Sequence, residues 1–212
     1  MHGLIDLWHK VRRAAGLAAA AALLLVADTA HPAEGTLTGH LLVAVPEMQD
    51  SNFAQTVVYL VEHDRRGALG VVVNEPMGEV PLGLLLDGQT PESGRPAPDE
   101  TGPRVRVLHG GPVGRRQGFI LHSTDMMSEG SVRIDQWVAY TRDPTQLRSL
   151  AGEKGPRHLV FAMGYAGWAP GQLEMEISHG GWYVIDWDET LVFGADYAAK
   201  WQRGLALHEP EL

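Results

Sequence analysis

The 212-residue sequence contains no cysteine, which removes disulfides, thiolate nucleophiles and cysteine-ligated metals from consideration. Positive charge is also scarce. Seventeen Lys and Arg face 26 Asp and Glu, for a formal net charge of −9, whereas general nucleic-acid binding needs a positive surface to displace phosphate counterions. No apolar run is long enough to span a bilayer, which takes roughly 20 helical residues. The phosphate-binding Gly-Lys-Ser/Thr loop, the dinucleotide G-x-G-x-x-G, the zinc H-E-x-x-H and the nucleophile elbow G-x-S-x-G are all missing. Ten histidines are present without metal-ligand spacing, so His63, His109, His122 and His158, at strand ends, could share a metal only if the fold gathered them.

What is there suffices for one domain. A chain of this length with 44% hydrophobic residues builds one sizeable core, and no long linker sets a second apart. Residues 1–36 form a signal-peptide-like extension. Lys10, Arg12 and Arg13 precede the alanine-rich stretch 14–27, and the Arg12-Arg13 pair fits twin-arginine export. Cuts after Ala27, Ala30 or Ala33 would place Leu25, Asp28 or His31 at the third position before the cut, where a small neutral residue belongs. The segment reads as an export signal of a periplasmic protein, or else as a retained extension or over-long gene reading of a cytoplasmic one. Residues 37–212 are the domain.

Within it, the runs 41–45, 56–61 and 68–73 are apolar and rich in β-branched residues, the pattern of strands buried on both faces. The last two are joined as a hairpin through His63-Asp64-Arg65-Arg66-Gly67. Residues 81–86 read as a short helix and 88–103 as a proline- and glycine-rich loop. The 105–108 and 119–121 runs flank Gly110-Gly111-Pro112 as a strand pair, and 132–140 reads as a half-buried strand. Asp143-Pro144 opens a helix. Strand 158–163 leads through glycines into a helix carrying Leu173 and Ile177. Residues 182–186 and 191–193 follow as strands, and Tyr197, Trp201 and Leu205 share one face of a terminal helix. Strand-rich blocks without a βαβ rhythm predict an α+β domain, with a largely antiparallel or mixed coiled sheet and peripheral helices.

The most distinctive stretch is Gly164-Tyr165-Ala166-Gly167-Trp168-Ala169-Pro170-Gly171-Gln172-Leu173-Glu174. It reads as strand, glycine loop and helix start, a place where α/β proteins put sites. Amides at that helix start could hold a phosphate or carboxylate, although Pro170 removes one donor. The competing reading is structural: glycines for a sharp turn, with Tyr165 and Trp168 capping the core. If Gly167 adopts a positive φ, a valine there is strained. Candidate ligand- or partner-binding residues are Gly164, Tyr165, Gly167, Trp168, Gly171, Gln172 and Glu174, with His63, Asp64, Asn74, Gly110 and Gly111 as neighbours. No catalytic set is complete. His63 and Asp64 are the one pair that could act as base and orienter in a small-molecule hydrolase or an anion-binding enzyme. The arginines Arg65, Arg66, Arg104, Arg106, Arg115 and Arg116 sit in or beside loops without a recognition helix, so direct DNA binding is not expected.

Four blocks resemble the AlgH/YqgE family of bacterial proteins. They are Gly39-His40-Leu41-Leu42-Val43-Ala44 through Thr56-Val57-Val58-Tyr59; Glu62-His63-Asp64 through Asn74; His109-Gly110-Gly111-Pro112-Val113 through His122; and the glycine stretch itself. The match spans about residues 37–203. The resemblance implies the same α+β fold and a label of transcriptional regulator, with no established molecular activity and no catalytic residues. Glu75 stands where such proteins carry arginine, Ser51 where proline is usual and Ala169 where glycine is common. The expectation is a non-catalytic regulatory module that holds an unknown protein or a small anionic ligand, without cofactor or metal.

Overall fold

The computed structural model describes residues 35–86, 104–152 and 154–208. Residues 1–34 of the extension and the 88–103 loop therefore lie outside the described residues. Among the described residues ten strands run in chain order: β1 (Leu41–Ala44), β2 (Val57–Asp64), β3 (Gly67–Val72), β4 (Pro76–Pro81), β5 (Arg104–His109), β6 (Val113–Ser123), β7 (Val132–Arg133), β8 (Val138–Thr141), β9 (Leu159–Trp168) and β10 (Trp182–Ile185). Five helices occur among the described residues: α1 (Leu82–Leu86), α2 (Leu147–Leu150) behind a 3-10 turn at Pro144–Gln146, α3 (Gln172–Ser178), α4 (Glu189–Phe193) and α5 (Tyr197–His208). The strands form one sheet in the order β10-β1-β2-β3-β9-β6-β8-β7, with β4 and β5 branching from β9. Among the described strands only β5 with β9 is parallel, so the fold is α+β on a largely antiparallel sheet, as the sequence predicts.

The uninterrupted apolar runs fold as expected. All four residues of β1 and residues 57–61 of β2 are buried, because the sheet is covered on both sides there. On one side Leu42, Val58, Leu60, Val72 and Trp168 pack with Leu173 of α3. On the other lies α5, whose Gly204 sits so close to Val43 that an added Cβ would stand 2.8 Å from its methyl. Trp201 donates its indole N–H to the Ala44 carbonyl at 2.7 Å, fastening α5 across β1.

The sheet curls until non-neighbouring strands meet. The Tyr59 hydroxyl on β2 donates to Asp135 in the β7–β8 turn at 2.6 Å. Tyr140 on β8 donates to Glu62 on β2, which also accepts from Arg142 at 2.7 Å. Burial and the facing carboxylates push both tyrosine hydroxyls up, Tyr140 to about 12.

Four segments differ from the sequence expectation. Residues 189–193 are helix, because Asp188 caps it by accepting from the Leu191 N–H at 2.9 Å. The 132–140 strand is two short strands around a turn in which Asp135 accepts from the amides of Trp137 and Val138. β4 is an exposed edge strand bounded by prolines, which gave no apolar signal. Strand β9 runs on to Trp168, through most of the expected glycine loop.

Candidate functional site

Strand β9 is the junction of the sheet. Its first half pairs with β6 and, in parallel, with β5; its last three residues pair with β3. Gly164 makes the bend between the halves with φ of +80°, a conformation that L side chains rarely adopt. Gly110 and Gly111 press against that bend: a Cβ on Gly110 would stand 2.4 Å from the Gly164 carbonyl oxygen, and one on Gly111 2.3 Å from the Tyr165 carbonyl carbon. The Gly110 N–H donates to Met163 and its carbonyl accepts from Val72, so these glycines stitch β9 to β3. Gly164, Tyr165, Gly110 and Gly111 are buried, and their sequence signature is explained by close backbone approach. Gly167 is an exposed strand residue without positive φ, so the strain anticipated for valine there has no backbone cause.

The true turn is only Ala169-Pro170-Gly171, with Gly171 at φ +73° in the N-cap position of α3. The helix start is engaged within the chain, the Gln172 N–H donating to the Ala169 carbonyl and the Met175 N–H to that of Gly171. Gln172 accepts from the Ala169 N–H at 3.0 Å, and the Glu174 carboxyl is held below its usual range first by its own amide and then by His63. Where the sequence allows a bound anion, the chain places its own carboxylate. Behind it, Glu176 accepts from the indole N–H groups of Trp168 and Trp182, both at 2.9 Å, and from Gln172 at 2.8 Å. Phe53 stacks on Trp168 and meets Trp182 edge-on, closing this cluster from the 46–56 loop. Glu176 and Trp182 are therefore the residues that sequence reasoning missed. The signal lay in the i, i+4 spacing of Gln172 and Glu176 beside two tryptophans.

The His63 side chain is 7% exposed and bridges three elements. The Leu37 N–H donates to Nδ1 at 2.9 Å, so Nε2 carries the proton and donates to Glu174 Oε1 at 2.9 Å. Thr36 donates to the His63 carbonyl, and the His63 N–H donates to Thr38. Asp64 does not orient this ring. Its carboxylate accepts from Arg66 at 2.7 Å and 2.9 Å and is lowered chiefly by that arginine. The proposed base and orienter are thus on separate partners, and the base has no free nitrogen. Asn74 braces the 46–56 loop, accepting from Val57 and donating to Gln55, both at 2.8 Å.

The remaining histidines disperse as well. His109 donates to Glu75 at 2.7 Å, so the residue standing in the arginine's place makes its own hydrogen bond. His158 pairs with Glu189 at 2.8 Å. His122 is fully buried, donates from Nδ1 to the Ser123 carbonyl and accepts at Nε2 from Ser131; burial lowers its pKa. Among the described residues no three His, Asp or Glu come together as metal ligands. Of the arginines, Arg104 donates to the Glu79 carbonyl, and Arg106 to that of Phe193 while lying over the Tyr197 ring.

A family model described as AlgH-like matches residues 41–212. The chain is 42% identical over 174 residues to a UPF0301 protein of Bradyrhizobium diazoefficiens, covering 81% of each. It is 43% identical over 180 residues to a UPF0301 protein of Afipia carboxidovorans, covering 80% of this chain and 82% of that one. Among solved structures, the AlgH protein from Pseudomonas aeruginosa superposes with a TM-score of 0.68 at 32% identity, over 86% of this chain and 94% of that one. A protein of Corynebacterium diphtheriae shares the fold, with a TM-score of 0.58 at 21% identity over 81% and 86%.

Proposed function

The chain belongs to the AlgH-like family, which has no established activity, and on that premise we propose that it is a non-catalytic partner-binding module with a regulatory role. The observation that carries this reading is the engagement of His63, whose two ring nitrogens are both committed to internal bonds. A general base needs a free lone pair within reach of a substrate proton. The same bonds create a surface instead. They clamp α3 to β2, while the Glu176 cluster fixes the helix from behind. Facing outward on this braced helix are Glu174 and Met175, the latter 53% exposed, beside Gly167, Pro170 and Gly171. A rigid platform with an exposed methionine suits protein recognition, since little conformational freedom is lost on binding.

Regulation in this reading acts through protein contact. Net charge of −9 and arginines divided among the β2–β3 turn, β5 and β6 support that route over a DNA-binding one. We further propose export if residues 1–36 act as a signal, which N-terminal sequencing of protein from fractionated cells decides. Among the described residues no helix is long and apolar enough to cross a membrane. The functional test is a hydrolase and phosphatase panel on the purified protein. Silence is expected; turnover abolished by His63→Ala would establish the enzyme reading instead.

A further inference from the structure

Apart from the α3 platform, the chain carries a second exposed face that the fold does not consume. Trp137, at the β7–β8 turn, is 49% exposed and stacks on Trp187 with ring centroids 5.3 Å apart and planes 16° from parallel. Trp187 in turn lines a cleft of about 400 Å³ between the end of β10 and the last turn of α5, together with Asp186, Asp188, Leu207 and His208. We propose that this face is a docking site for a cationic segment of a partner protein, one that presents arginine or lysine side chains.

Three features of the same sign support a cation. Asp186 has its side chain 99% exposed, and the His40 Nε2 stands 3.7 Å from its carboxylate, beyond hydrogen-bond distance. The cleft also receives the C-terminal turn of α5, the negative end of the helix dipole. Stacked indoles offer the negative faces on which guanidinium and ammonium groups sit. Asp188 contributes less, because Arg203 donates to it at 2.9 Å and the Leu191 amide uses its other oxygen. A second copy of this chain fits poorly: a two-fold contact through this face would set Asp186 against Asp186 between two bodies of net charge −9. An anionic lipid surface is repelled for the same reason.

The test is an NMR titration of the full chain with an N-acetylated hexa-arginine peptide, reading the indole N–H signals of Trp137 and Trp187, with hexa-glutamate as control. The inference predicts saturable shifts of both indole signals with hexa-arginine alone. Trp137→Ala and Asp186→Asn should each weaken binding by roughly fivefold, the scale of one exposed cation–π contact or ion pair. About 1 M salt should abolish it, since charges are then screened within ~3 Å. Asp186→Asn lies on an exposed side chain and leaves the fold intact, so its result stands even if Trp137→Ala destabilises. Shifts spread over the acidic surface without saturation at the tryptophans would overturn the inference. So would equal binding of hexa-glutamate, or indole shifts that follow protein concentration without peptide, which mark self-association. Met175→Glu should leave this titration unchanged, so this face and the α3 platform succeed or fail separately.

Discussion

The Leu37 N–H and the Nδ1 of His63 lie 2.9 Å apart, and this bond fixes the tautomer of the imidazole. With Nδ1 accepting, Nε2–H points at Glu174, so a residue ahead of β1 is joined to α3 through one ring. His63→Ala leaves a part-buried amide and its partners without bonds and should cost about 1–3 kcal/mol. Chemical denaturation measures the loss, and amide exchange at Leu37 should rise with it. An unchanged midpoint and an unchanged Leu37 rate would show that the bond is incidental.

Glu174 supplies the acid-side test. Its carboxyl is lowered from the ordinary 4.5, chiefly by its own amide at the first turn of α3. A lowered acid stabilises the fold above its unfolded value and ceases to do so as pH falls through its folded value. The stability difference between wild type and Glu174→Gln should therefore be present near neutrality and vanish in acid. A difference independent of pH contradicts the assignment.

Glu176 is predicted to matter more than any other carboxylate of this region. Glu176→Ala leaves two indole donors and the Gln172 amide unpaired in a part-buried cluster, for a cost of about 3 kcal/mol. Urea midpoints at constant m-value measure it. Neutral behaviour would mean that the tryptophans are held by packing alone.

The two glycines of β9 should separate sharply. Gly164→Ala puts a Cβ 2.5 Å from the Gly111 carbonyl oxygen at φ +80° and should cost about 3 kcal/mol or more. Gly167→Ala meets nothing nearer than the Tyr165 ring at 3.3 Å and should change stability by less than about 1 kcal/mol. Equal effects would contradict the placement of the bend.

How much of this was legible follows from the range of each interaction. Strands β1 to β3 are announced by unbroken apolar runs, because burial on both faces leaves no room for polar alternation. The unusual glycines also mark a special place, but their cause is remote: Gly164 is required by Gly110 and Gly111, more than fifty positions earlier, and no local pattern reports such a contact. Partner choice was hidden in the same way. His63 and Asp64 are neighbours in sequence, yet alternation along β2 sends them to Glu174 and Arg66. The face of α5 was displaced by one step. Tyr197, Trp201 and Leu205 mark its rim, while Lys200 and Gly204 occupy the centre, where a lysine is not expected.

That lysine gives a prediction on the alkaline side. Lys200 is 2% exposed, donates to the carbonyls of Val73 and Val192, and has no carboxylate partner among the described residues; burial, then Arg106, lowers it from 10.5 to about 7. Below about pH 7 both folded and unfolded chains bind the proton. Between there and 10.5 only the unfolded chain does, so stability should rise with pH by up to about 1.4 kcal/mol per unit. Lys200→Met should flatten that rise. Parallel profiles for the two proteins would place the charge elsewhere.

The partner-binding reading is tested most directly by photo-crosslinking from position 175 in living cells. A benzophenone amino acid in place of Met175 should give one discrete protein adduct that Glu174→Lys diminishes, while the same probe at Arg148, exposed on α2, gives none. No adduct from position 175, or identical adducts from both positions, contradicts a recognition platform on α3.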